Sequence, residues 1–258
     1  ELKKNTLFLD QTFRIPFSFI NKLKSKKDST FTYSADTLDK NITSAYIGHS
    51  STLDIYSKKY TDEINSSNPE ASQFYLNPTA SADSLRTLRL DNKVFMRLQP
   101  WASDAVLSKI DVGIGDKLAS YYSFNPDVYL SGKLKNKYLN SVYAYAGANG
   151  KIKRYVEWDA TGRYTFAGYE VNDFRVDANM KFSFYPFRRD KYSPIDLKIH
   201  FETGLKEPDF YQQNLLTNHF KWSNNFSKAS TTKILGELDI PKWEMTASFG
   251  YALLANNL

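Results

Sequence analysis

The sequence of 258 residues contains no cysteine. Disulfide frameworks and thiolate metal sites are therefore excluded. Long apolar runs are also missing: residues 251 to 255 form one of the longest, whereas a membrane-spanning helix needs about 18 apolar residues or more. No long segment has apolar residues at the helical spacing of i, i+3, i+4 and i+7, so no long helix is predicted.

A strong excess of one charge is absent too. The chain has 34 basic and 28 acidic residues, for a net charge of +6, and both signs are mixed along it. Nucleic-acid-binding proteins usually gather basic residues on one face. The one dense basic run, at residues 22 to 27, is interpreted as a solvated loop, and nucleic acid is not a predicted partner.

Short alternating runs and many aromatic residues (16%) are present instead. In the stretch DFRVDANMKFSFYPF, residues 173 to 187, every second residue from Phe174 is apolar and most of the others are polar or charged. This period of two is typical of a β-strand with one apolar face. Similar runs predict about eleven strands, one of them at 217 to 227. Asn149-Gly150 predicts a hairpin turn, and about 60 to 84 a long polar loop, within a single domain over 1 to 258.

Two environments fit such strands, a soluble sheet with one face in water and a membrane barrel with its apolar face in lipid. Soluble strands are commonly about five or six residues long, whereas about 9 to 11 tilted residues cross a bilayer. Several candidate strands reach the longer range, and their polar faces carry both charges. The sequence therefore favours an all-β, antiparallel transmembrane β-barrel, with a soluble β-rich protein as the alternative.

Two sets of candidate site residues follow from this prediction. Aromatic residues near strand ends are expected where the bilayer meets water, and these are Trp101, Tyr121, Tyr169, Tyr185, Phe187 and Trp243. Charged residues on the polar faces are candidates to line the pore, and these are Arg89, Lys93, Arg97, Lys109, Arg175, Asp177, Lys181, Lys198, His200, Glu202 and Lys221.

Several phrases resemble the putative porin family of Bacteroidetes-type outer membranes. One of them is WDATGRYTFAGYEVNDFRVDANMKFSFYPF (158 to 187), and the resemblance is spread over about residues 5 to 258. Its most specific pieces are the pattern formed by Trp158, Gly162, Gly168, Tyr169 and Asp173, and the segment HFKWSNNF (219 to 226). The resemblance implies an antiparallel barrel in the bacterial outer membrane. The chain shows no signal peptide at its start and no terminal aromatic strand, so we expect it to be part of a longer chain whose further strands complete the barrel.

Catalytic and metal-binding patterns are weak. His200 and Glu202 share a strand face and could hold a metal or form an acid–base pair, but the three histidines are scattered. A ladder of lumen charges explains the pair better. A Gly-x-Ser-x-Gly elbow is absent, and Gly113 and Gly115 lie within an alternating strand, where they favour sheet curvature over phosphate binding. We expect no enzyme activity, no metal and no cofactor.

The sequence thus predicts an outer-membrane channel for passive diffusion of small hydrophilic solutes. Basic residues are slightly ahead among the pore-lining candidates, which predicts a weak preference for anions. The expected partners are outer-membrane lipid and these solutes, with a homo-oligomer or outer-membrane partner proteins left open. Two alternatives stand beside the channel: a plugged barrel that acts as a scaffold for partner proteins, and a soluble β-rich binding module.

Overall fold

The strands of this protein lie side by side in the order in which they occur in the chain. The computed structural model describes residues 1–15, 44–63, 75, 77, 80–99, 105–122, 136–186 and 194–256. Ten strands form one antiparallel sheet: β1 (Leu2–Ile15), β2 (Ser44–Glu63), β3 (Ala80–Gln99), β4 (Lys109–Tyr122), β5 (Asn136–Ile152), β6 (Val156–Gly168), β7 (Phe174–Phe184), β8 (Ile195–Lys206), β11 (Ala229–Ile240) and β12 (Met245–Ala255).

The connection between β8 and β11 carries structure of its own. It contains a short helix, α1 (Phe210–Gln213), and two short strands, β9 (Asn214–Leu216) and β10 (Lys221–Ser223), which pair only with each other. We call residues 207–228 the strap. The strand predicted at 217 to 227 is reduced to β10, which belongs to the strap and not to the main sheet.

The all-β, antiparallel fold class predicted from the sequence is confirmed. Strands of the main sheet have 11 to 20 residues, enough for the 9 to 11 or so that cross a bilayer. Among the described residues, no helix is long and apolar enough to span a membrane. Within the same residues β1 pairs with β2 and β12 pairs with β11, so the sheet is not closed.

Two local predictions need correction. The chain does not turn at Asn149-Gly150, because β5 continues to Ile152 and the turn lies at 153–155, where Lys153 has a φ of 53°. A Cβ on Gly150 would lie 1.8 Å from the carbonyl oxygen of Val106, so glycine is needed there for a close approach of backbone. The polar loop predicted at about 60 to 84 is shorter, since β2 extends to Glu63 and β3 begins at Ala80.

The register of the strands separates polar from apolar side chains. Residues directly opposite each other in an antiparallel pair project to the same face. One row of successive cross-strand partners crosses seven strands, from β3 to β8 and on to β11. In order, its members are Arg97, Asp111, Gly147, Thr161, Asp177, Glu202 and Lys233. One face of the sheet, the polar face, therefore carries a continuous set of charged and small residues.

The polar face is concave. Arg163 on β6 lies with its Nη1 3.9 Å from Oδ2 of Asp91 on β3, although the two backbones would be about 14 Å apart in a flat sheet. The Tyr143 hydroxyl on β5 also reaches over β4 and donates a hydrogen bond of 2.6 Å to Asp91. Contacts between strands that are not neighbours require the sheet to curl around this face.

The opposite face is apolar and exposed. Val94 and Ile114 are opposite each other on β3 and β4, and their exposed fractions are 56% and 60%. Leu7, Met180 and Phe249 repeat the pattern on β1, β7 and β12. An apolar surface that continues across the whole sheet is far larger than a soluble monomer normally exposes, so this face fits a lipid environment.

We expect charge to be tolerated on one face only. Ile114→Arg would place a guanidinium on the apolar face near the middle of β4, and should lower the free energy of unfolding in lipid vesicles by about 2–4 kcal/mol. The matched variant Thr52→Arg lies opposite Asp91 on the polar face and should cost much less. Denaturant titration of the folded protein in vesicles measures both, and equal losses would contradict the assignment of the faces.

Candidate functional site

Three basic residues of β3 lie on the polar face, as their spacing of four predicts. Arg97 meets Asp111 of β4 through two hydrogen bonds, Nε to Oδ1 at 2.8 Å and Nη2 to Oδ2 at 3.2 Å. Lys109 also approaches Asp111, at 3.4 Å. Arg89 donates to the Tyr121 hydroxyl at 3.1 Å and forms an ion pair with Asp209 of the strap. Arg89 therefore has a carboxylate partner, whereas Arg97 and Lys109 share one carboxylate between them.

Lys93 differs from its two neighbours on β3. Its ammonium group lies over aromatic rings, 4.6 Å from the centre of Tyr145 and 5.4 Å from that of Phe95. Within the described residues it forms no ion pair. Ring faces attract a cation but do not neutralise it, so Lys93 carries net positive charge at mid-height of the polar face.

Glycines on neighbouring strands allow the rings to lie flat on the sheet. A Cβ on Gly48 would lie 2.2 Å from Cζ of Phe95, and one on Gly115 would lie 2.2 Å from Cζ of Tyr143. Each ring thus occupies the space of a missing side chain. Arg163 in turn has its guanidinium 4.6 Å from the centre of the Tyr143 ring. Gly115, for which the sequence predicted a role in curvature, makes room for an aromatic platform.

The polar face of β7 and β8 carries both acidic and basic residues. Asp177, His200 and Glu202 have ligand atoms within 4.8 Å of one another, an arrangement that could hold a metal ion. Arg175 already binds both carboxylates, however, with its Nε 2.6 Å from Asp177 and its Nη2 3.4 Å from Glu202. Lys233 approaches Glu202 at 3.7 Å. The paired carboxylates support the interpretation of this group as part of a charge ladder.

The ladder continues toward the other end of these strands. Lys181 lies 2.9 Å from Asp196, and Lys198 lies 2.7 Å from Glu237. Ten of the eleven pore-lining candidates, all except Lys221, thus share the polar face. Lys221 lies on β10 of the strap and is exposed, so it does not belong to the wall that the sheet forms.

The strap lies on the polar face and crosses it. It leaves the sheet at the end of β8 and reaches β3, where Asp209 meets Arg89 at the middle of that strand. The Tyr211 hydroxyl donates to the backbone carbonyl of Arg86 at 2.8 Å. The Phe210 ring packs 4.8 Å from the ring of Tyr121. These contacts cover one end of the polar face and leave Lys93 and Arg97 beyond them.

The local sequence explains how the strap begins. Asp209 caps α1: its carboxylate accepts from the Tyr211 amide, and the Gln212 side chain accepts in return from the Asp209 amide. This is the capping box of an N-terminal helical turn. The Asp209-to-Gln212 spacing is the one sequence signal that predicts a helical turn here, but nothing in it predicts which strands the turn contacts.

The aromatic residues predicted at the membrane interface lie in different surroundings, and some of them contact the strap. Tyr121 is only 6% exposed and lies against the strap on the polar face, so its predicted place at a lipid interface is wrong. Tyr169 accepts a hydrogen bond from Gln213 of the strap at 3.1 Å. Tyr185 follows β7, and Trp243 lies 59% exposed in the turn between β11 and β12; for both, the interface role stays a prediction. Trp101 and Phe187 lie outside the described residues.

Comparison with known proteins agrees with this geometry. The model of a family described as "Putative porin" matches residues 1–258. The chain belongs to this family. The match confirms the resemblance seen in the sequence and indicates a porin-type channel of the outer membrane, in contact with outer-membrane lipid and small solutes. Such a family suggests a protein without enzyme activity. No curated protein and no solved structure matches this porin.

The aromatic platform of the porin can be tested at its glycines. Gly115→Ala forces the Tyr143 ring away and weakens its hydrogen bond to Asp91, so we expect a loss of about 1–3 kcal/mol in unfolding free energy. Gly162→Ala is the matched control, because a Cβ there meets nothing within 4 Å. Denaturant titrations of both variants should separate them, and equal stability would contradict the role of Gly115.

Proposed function

We propose that this porin is a passive diffusion channel for small hydrophilic solutes with a weak preference for anions. The observation that carries the proposal is the distribution of side chains: a concave face lined by charged and polar groups lies opposite an exposed apolar face. Charged groups of both signs hold water and let hydrated solutes pass. The apolar face would meet lipid, as in other membrane β-barrels.

The preference for anions rests on Lys93. Most other cations on the polar face have a carboxylate partner, such as Arg97 with Asp111 and Lys198 with Glu237. Their fields largely cancel for a passing ion. Lys93 lies instead over two rings, and its uncompensated charge lowers the barrier for anions. Arg97 and Lys109 share the single carboxylate of Asp111, so this group of three retains one positive charge and acts in the same direction as Lys93.

A second candidate function is favoured by the strap. A segment that fills enough of the concave face would turn the channel into a plugged scaffold for partner proteins. Contacts of the strap with β3, β4 and the turn before β7 are compatible with either outcome. Single-channel recording in planar bilayers decides between them: long-lived current steps support the channel, and silence from folded protein supports the scaffold.

Neutralising Lys93 should reduce the preference for anions. At about 4 Å in water a unit charge is worth about 1 kcal/mol, so Lys93→Gln should lower the anion-to-cation permeability ratio by up to roughly fivefold. Lys3→Gln is the matched control, since Lys3 projects from the opposite face of β1. Reversal potentials in a salt gradient give the ratio. Reversal potentials showing that the wild-type channel prefers cations would contradict the proposed preference for anions.

A further inference from the structure

The strap is attached to the sheet at its base by a partly buried ion pair. Lys228 binds Asp173 and approaches Glu207 at 3.4 Å, and its ammonium also donates to the carbonyl of Val171 at 2.6 Å. The amide of Glu207 donates to Asp173 at 2.9 Å. Both ends of the strap, 207 and 228, are thus held by one carboxylate in the turn between β6 and β7.

The tip of the strap, Asn218 in the middle of its sequence, is attached as well. Asn218 is 1% exposed, and its backbone amide donates to Asp83 of β3 at 2.7 Å. Its side-chain amide donates to Ser81 at 2.9 Å and to the carbonyl of Asn77 at 3.0 Å. The Ser81 hydroxyl also lies 2.8 Å from Nε2 of His219. A buried amide with this many partners is costly to release, because its polar atoms would lose them together.

Contacts between the base and the tip keep the first part of the strap against β3 and β4. Asp209 binds Arg89, and the Tyr211 hydroxyl lies between the carbonyls of Arg86 and Tyr122, which share its one proton. Burial raises the pKa of the Tyr211 phenol to about 12. The hydroxyl therefore stays protonated and keeps donating over the pH range in which an outer membrane functions.

We infer that the strap is a fixed constriction, and that its Asn218 anchor sets the size limit for solutes. The inference rests on the proposed channel function. Attachment at both the base and the tip distinguishes the strap from a lid, whose tip would be free. Its contact with Arg89, at the middle of β3, places the inferred constriction at that level of the polar face. Lys93 lies beyond that level, where it affects the selectivity between anions and cations and not the size limit.

The test weakens the Asn218 anchor and leaves the base intact. The double variant Asn218→Ala, Ser81→Ala removes the hydrogen bonds of the Asn218 side chain to Asn77 and Ser81, and the contact of Ser81 with His219. Swelling of proteoliposomes in sugars of graded size should then show an exclusion limit shifted toward larger sugars, together with a higher single-channel conductance. Asn92→Ala is the matched control: Asn92 accepts one hydrogen bond, from Ser51, on the apolar face, and its loss should change neither quantity.

The absence of native cysteine allows a reversible version of the test. Ser81→Cys with His219→Cys, made together with Asn218→Ala, weakens the anchor, and a short cleavable thiol cross-linker joins positions 81 and 219 again. We expect the larger limit with free thiols, the wild-type limit after cross-linking, and the larger limit once more after cleavage. An exclusion limit that is the same in all three states overturns the inference.

A separate readout keeps the inference apart from the channel function. In Lys93→Cys, the reaction rate of the thiol with a bulky maleimide, relative to a small one, reports the opening beside the strap. Combining Lys93→Cys with the double variant Asn218→Ala, Ser81→Ala should increase the reaction rate of the bulky maleimide more than that of the small one. If the wild-type protein carries no current and the anchor variant does, the proposal of an open channel is wrong, and the result supports a strap that closes the channel completely. If the anchor variant leaves the ratio of the two maleimide reaction rates unchanged, the inference about the strap is wrong, whether or not current is seen.

Discussion

Cross-strand pairing is the constraint on which the structure of this porin depends. Directly opposite residues share a face, so one register fixes the partners of every side chain across the sheet. A shift by a single residue would put Arg97 in lipid and Val94 in the channel. The same register joins Arg97 to Asp111 and Asp177 to Glu202. The strand register therefore determines both the separation of the polar face from the apolar face and the pairing of charged side chains.

Aromatic rings add a second level of organisation on the polar face. Phe95 and Tyr143 lie over glycines of neighbouring strands and provide surfaces for Lys93 and Arg163. A long basic side chain held along a ring has fewer conformations than one in open water, so its charge has a defined position. Small residues thus affect electrostatics: Gly48 and Gly115 decide where the rings lie, and the rings decide where the cations lie.

Local patterns in the sequence predicted the strands and their faces, since a period of two is visible within ten residues. They predicted one face for Arg89, Lys93 and Arg97 for the same reason. Tyr121 was assigned to the lipid interface from its place near a strand end, although its parity with Asp111 and Lys117 puts it on the polar face. The strap could not be predicted, because 217 to 227 alternates like a strand and the Asn218 anchor to Asp83 depends on a contact across 135 residues.

The same separation has a consequence for how the protein assembles. Most strands of the sheet pair with neighbours in the chain, so the wall can grow by successive local hairpins, whereas the strap must find β3 across more than a hundred residues. Contacts of high sequence separation form slowly, since the entropy of closing the intervening chain is lost before they are made. The curved wall must also exist before the strap has a surface to bind. If the strap constricts the channel as inferred, assembly passes through a wide pore first and a narrow one later.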